Sequence, residues 1–134
     1  MIQEIVSDRV RVNSPSQINE AIDGNIEDSV ASYINKPASV IKERIEKLDE
    51  EWDIERVLEL NASLIALTGV IMAATGSRKW LIVPLVVTGF LAQHAIKGWC
   101  PPLTLFRKLK VRTRKEIDME KFALLRIIEN RRHD

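Results

Sequence analysis

At 134 residues the chain has room for one small unit, and its single cysteine excludes an internal disulfide. The formal charge of +1 and the mean hydropathy of -0.08 average over unlike parts. Residues 1–56 hold 7 Lys/Arg against 13 Asp/Glu, residues 97–134 hold 11 against 5, and no glycine-rich phosphate loop, nucleophile elbow or cluster with metal-ligand spacing lies in either.

In chain order, Val10 and Val12 alternate with Arg9 and Arg11, so Ile2 to Val12 reads as a short strand or an extended arm. Ser14 before Pro15, with Gln17 three positions on, has the form of a capping box opening a helix. Gly24 is expected to end that helix, and Asn25 with Asp28 to open a second one reaching about Asn35. After Asn35-Lys36-Pro37, the residues Val40, Ile41, Ile45, Leu48 and Trp52 form a narrow apolar stripe on a charged helix. Glu43 and Lys47 are a favourable i,i+4 pair. With no glycine or proline from Ala38 to Val57, one long helix is expected to run from Ala38 into the next segment.

That segment is apolar from Val57 to Gly76, and a second apolar run, Trp80 to Ile96, follows after Ser77-Arg78-Lys79. Neither run has a polar face. At about 1.5 Å rise per residue each is roughly 25 to 30 Å long, close to the ~30 Å hydrocarbon core of a bilayer. The expectation is a transmembrane hairpin with spans 57–76 and 80–98. Gly76 is placed to supply a left-handed C-cap, Trp80 and Trp99 to anchor at the interfaces, and Pro84 to fall in the first turn of the second span. Ala62, Ala66, Gly69, Ala73 and Gly76 share one face of the first span. Thr88, Ala92 and Ala95 share one face of the second. Small residues let membrane helices approach closely, so both faces are candidates for packing, within the hairpin or between subunits.

Near the exit of the second span stand His94, a candidate intramembrane polar site, and Cys100, a candidate redox or lipidation site. For His94 the readings are an interfacial hydrogen bond or a haem or metal ligand. For Cys100 they are a small residue at a helix end or a thiol whose pKa is lowered by nearby cations. Pro101-Pro102 stops the span. The basic segment that follows, with Arg107, Lys108, Lys110, Arg112, Arg114 and Lys115, is expected to contact lipid headgroups or to dock on the acidic helix, in preference to nucleic acid. Thr113 and Glu116 make a capping box that opens a final amphipathic helix to about Asn130.

Lys/Arg residues concentrate on the side of the hairpin that holds the two flanks, with two in the turn, so both termini are expected in the cytoplasm. The first residues lack the basic and apolar regions of a signal peptide, which leaves the hairpin as the expected insertion signal.

The segment Gly98-Trp99-Cys100-Pro101-Pro102-Leu103 at the end of a short-turned hairpin resembles the YgaP-like inner-membrane domain, a bacterial two-span family largely of unknown function. Residues 48–56 and 111–117 resemble a longer bacterial subset of that family. The resemblance implies the bacterial inner membrane and places Cys100 at the family's Gly-x-Cys-Pro position. Some relatives carry a fused rhodanese domain, which this chain lacks, so it implies no sulfurtransferase activity.

The expected organisation is all-α. Residues 1–37 form an N-terminal arm with short helices, 38–112 the long helix and hairpin, and 113–134 the C-terminal helix. The leading reading is a non-enzymatic membrane protein, without cofactor or metal, that self-associates or serves as a subunit or scaffold of a larger membrane complex. The alternative is a redox or sulfur-handling accessory protein using Cys100. A third is a soluble helical assembly that buries the apolar runs between subunits.

Overall fold

The computed structural model describes residues 8–134 and is all-helical over them. In chain order the helices are α1 (Arg9–Val12), α2 (Ser16–Tyr33), α3 (Ala38–Glu50), α4 (Ile54–Thr75), a 3-10 turn (Arg78–Leu81), α5 (Ile82–Lys97), α6 (Pro101–Lys108) and α7 (Arg114–His133). Within Ala38–Thr75 and within Arg78–Lys97 lie runs long and apolar enough to cross a membrane, and α4 packs beside α5 as an adjacent pair.

The N-terminal elements differ from expectation in three places. Arg9–Val12 is a helical turn rather than a strand, because the Asp8 carboxylate caps the amides of Val10 and Arg11. The earlier part of the expected strand, residues 2–7, lies outside the described residues. Ser14 does not cap α2; its hydroxyl donates to the Val10 carbonyl at 2.5 Å and accepts from Arg107 Nε at 2.9 Å. Gly24 does not end α2, which continues to Tyr33 because Ile22, Ile26 and Val30 hold one buried or half-buried stripe across it. A glycine costs a helix about 1 kcal/mol relative to alanine, less than this burial returns.

The expected long helix from Ala38 is broken at 51–53. Glu51 leaves helical geometry with ψ 132°, and the Asp53 side chain caps α4 by accepting from the Arg56 amide at 2.9 Å. The basic linker supports the break. The Ile54 amide donates to the Arg112 carbonyl at 2.9 Å, the Arg112 guanidinium grips Glu51, and Arg114 Nε reaches Asp53 at 3.2 Å. The Arg112 carbonyl and the Arg114 guanidinium, which donates to the Glu51 carbonyl at 2.9 Å, thus satisfy backbone groups that a continuous helix would have paired internally.

Below the hairpin, α7 lies against α2 and α3, and Ile41, Ile45 and Leu48 of α3 interlock with Ile117 and Leu124 of α7. A second core joins Val10, Ile54, Leu58, Cys100 and Leu103 where both apolar helices enter this head. The capping box of α7 is complete, with Thr113 and Glu116 each bonded to the other's amide. Gly76 takes φ -139°, so the turn closes through the Ser77-capped 3-10 helix and not through a left-handed residue. Pro101-Pro102 does more than stop the second span, since the prolines occupy the first positions of α6.

Candidate functional site at the base of the hairpin

Gly69 sets how closely the two apolar helices approach. A Cβ there would lie 2.7 Å from Cδ of Pro84 and 3.0 Å from Cβ of Val83, so only hydrogen fits. Ala62, Ala66 and Ala73 on the same face are partly covered, whereas Gly76 is exposed. The expected face of the second helix points elsewhere: Thr88, Ala92 and Ala95 are exposed, and α5 turns Val83, Pro84, Val87 and His94 toward α4 instead. Trp80 is 44% exposed at the turn. Trp99 is half-buried, its indole N–H bonded to Thr104 Oγ1 at 3.1 Å.

At the lower end of the hairpin, His94 Nε2 lies 3.0 and 2.9 Å from the two carboxylate oxygens of Glu55 in the first turn of α4. His94 is buried, and its Nδ1 has no hydrogen-bond partner among the described residues. Glu55 was not distinguishable in the sequence from the other acids of residues 49–59. Its signal is the N-cap at Asp53, which sets the start of α4 and thereby the turn that faces α5. No group of three or more potential metal ligands occurs among the described residues, so His94 stands with one carboxylate rather than in a ligand set.

Cys100 is 3% exposed and belongs to the core that joins the hairpin to the head. Burial pushes its thiol pKa up, outweighing the opposing bond from the Leu103 amide, and the Glu55 charge adds a smaller upward push. The lowered pKa expected from nearby cations is not found; Arg107 turns to Glu116, and Arg112 to Glu51 and Glu120. A buried, protonated thiol is a poor nucleophile and a poor lipidation target.

Beside His94 and Cys100 a cleft of about 240 Å³ opens between α4, α5 and α6. Its wall is largely apolar, from Leu58, Ile65, Phe90, Leu91, Leu105 and Phe106, with Asn61 as a further polar side chain. Asn61 uses its amide to donate to the Val57 carbonyl at 2.8 Å.

The basic segment is mostly occupied within the head. Arg107 is fully buried, and all five of its donors are matched, to Ser14 Oγ, Asn19 Oδ1, the Val111 carbonyl and both oxygens of Glu116 at 2.7 to 3.0 Å. Arg11 joins the same carboxylate at 2.9 Å and forks onto Asp23. Burial alone would raise the pKa of Glu116, but Arg107, the Thr113 amide and Arg11 hold it below its ordinary value. Glu120 is likewise lowered against its burial by Ser29, Arg112 and Arg44. Arg112 is held above its ordinary value by Glu51 and Glu120, which outweigh its burial. The expectation of lipid contact therefore fails for Arg107, and Arg112 and Arg114 are engaged by Glu51, Glu120 and Asp53; Lys108, Lys110 and Lys115 stay exposed.

With this geometry in view, comparisons of the chain with known proteins give no further guide: no family model, curated protein or solved structure matches it.

Proposed function

We propose that this is a two-span protein of the bacterial inner membrane, related to the YgaP-like domain, whose hairpin crosses the bilayer and whose helical head rests on the cytoplasmic face. The observation that carries the reading is the exposure of the apolar helices. Only 11% and 6% of the residues in their most apolar windows are buried, leaving Leu64, Leu67, Ile71, Ile82, Leu85 and Leu91 among many without cover. Soluble monomers rarely leave continuous apolar surface on this scale, and a bilayer covers it at no cost in unsatisfied backbone groups. The orientation is supported by the Lys/Arg-rich head against Arg78 and Lys79 in the turn. Lys108 and Lys110, next to exposed Leu105 and Leu109, supply the contact with anionic headgroups.

Its role is structural: a non-enzymatic subunit or scaffold that self-associates or joins a larger membrane complex. Two small-residue faces with different uses support this. The Gly69 face is filled by the chain's own second helix, whereas the Thr88, Ala92 and Ala95 face is open to a partner helix. In mild detergent, Ala92→Leu is expected to lower the subunit count measured by native mass spectrometry without loosening the hairpin. An unchanged count would contradict self-association through that face. Recovery of the protein in the supernatant after high-speed centrifugation without detergent would favour instead the soluble assembly.

A further inference from the structure

We infer that a polar pocket on the head, between α2, α3 and the turn that follows α6, binds a phosphate group, free or on a lipid headgroup. The space is about 210 Å³, and Asn25, Ser29, Arg44, Lys110, Arg112 and Glu120 line it. Two observations of different kinds mark it as a site. The first is the backbone at Lys110. Its φ of 61° is the one positive φ outside glycine among the described residues. The Lys110 amide donates to the Arg107 carbonyl at 2.9 Å and the Val111 amide to the Phe106 carbonyl at 3.1 Å. These bonds close α6 with a left-handed cap, a position usually held by glycine because a β-carbon is strained there. Lysine supplies an ammonium that glycine would not, and strain kept beside a pocket points to use of the side chain.

The second observation is the set of donors left open. Glu120 is 1% exposed and fully engaged: Oε1 accepts from Ser29 at 2.6 Å and from Nε and Nη2 of Arg44, and Oε2 accepts from Arg112 at 2.6 Å. Arg44 Nη1 is left without a partner among the described residues, on a side chain that is 28% exposed. Lys110 and Asn25 are exposed, and their side chains have no hydrogen bond or ion pair among the described residues. Arg44, Lys110 and Arg112 stand against Glu120 and, on the far side of Arg112, Glu51, which leaves one positive charge in surplus. A metal cation finds no open oxygen on Glu120. An anion finds donors on three separate elements, which suits the tetrahedral oxygens of phosphate better than the two coplanar oxygens of a carboxylate. A phosphomonoester also brings about −1.5 to −2 charge at neutral pH.

A lipid source rests on the membrane reading, whereas the pocket itself does not, and the test separates the two. The full chain, ¹⁵N-labelled in phosphatidylcholine nanodiscs, is titrated with sodium phosphate or sodium acetate at an ionic strength held constant with sodium chloride. The resonances followed are the Asn25 side-chain amide and Arg44 Nε–H. Phosphate should give a saturable shift, and acetate a weaker one. Lys110→Gly and Lys110→Asn both suit a left-handed cap, so each should keep the thermal midpoint of the protein while weakening phosphate binding about fivefold or more. Lys108→Gln removes the same charge outside the pocket and should change it less than about twofold. Nanodiscs containing phosphatidic acid then assign the source. If that lipid shifts the same resonances and phosphate competes with it, the headgroup is the ligand; if phosphate alone shifts them, the ligand is soluble, and the pocket stands in both cases. No saturable shift with either source, an equal response to acetate, or equal losses in Lys108→Gln and Lys110→Gly would overturn the inference. A chain that proves soluble would end the lipid source only, since the phosphate titration runs equally in buffer.

Discussion

Glu116 lies at the centre of the buried charge network. Its carboxylate takes Arg107, Arg11 and the Thr113 amide in a site that water does not reach. Removing one member of a buried charge group leaves the others uncompensated, at a cost of about 3–5 kcal/mol. Glu116→Gln should therefore destabilise the head by roughly that amount in urea unfolding followed by circular dichroism. Glu116 and Glu120 both have lowered pKa values when folded, so the unfolded chain binds more protons below its carboxylate pKa of about 4.3. Stability from these groups is complete above that pH and is lost as pH falls through the folded values. Thermal melts between pH 6 and 2 should show a decline, and Glu116→Gln should flatten it. The sequence marked Glu116 only as half of a capping box, and Arg107 only as one cation in a basic run. Nothing local distinguishes a buried arginine from an exposed one; the difference is made by Ser14, Asn19 and Arg11, brought in from about ninety positions away.

At the scale of elements, α1 acts as a cap for α5. The last carbonyls of a helix lack internal partners, and here Arg9 Nη1 donates to Ala95 at 2.8 Å and Asn13 Nδ2 to Lys97 at 3.2 Å. Gly98 makes room for both, with φ +73° and space so tight that a Cβ would lie 2.7 Å from Cβ of Arg9. Gly98→Ala should lower the thermal midpoint, through backbone strain and displacement of α1 together. Gly24 is the opposite case, since a Cβ there meets nothing within 4 Å. Gly24→Ala should raise stability by about 0.5–1 kcal/mol, measured by the same unfolding. These two glycines look alike in sequence. Element type was legible where periodicity was strong, as in α3 and α7, and where an apolar run had the length of a membrane span, as in α4 and α5. The ends were less so: the break at 51–53 depends on long-range partners and carries no proline or glycine, and at Arg9–Val12 the alternation of Val and Arg masked the Asp8 cap. His94 and Cys100 were visible as isolated residues, but the Glu55 pair and the cleft exist only once α4, α5 and α6 are assembled.

The whole molecule divides its charge and its apolar surface between two ends. The acidic and basic flanks neutralise each other within the head, through pairs such as Arg112 with Glu51 and Glu120 and Lys121 with Asp49. The hairpin rises from that head with its side chains uncovered. An antiparallel pair with Gly69 at its centre and a charged turn at its tip suits a bilayer, with Ser77 on one side and the head on the other. Cysteine accessibility tests this most directly, because buried Cys100 provides a nearly silent background. In intact bacterial cells treated with a membrane-impermeant maleimide, Ser77→Cys should be labelled, and Asp134→Cys should be labelled only after the cells are opened. Labelling of Asp134→Cys in intact cells, or protection of Ser77→Cys until lysis, would contradict a hairpin that crosses the membrane with its head inside.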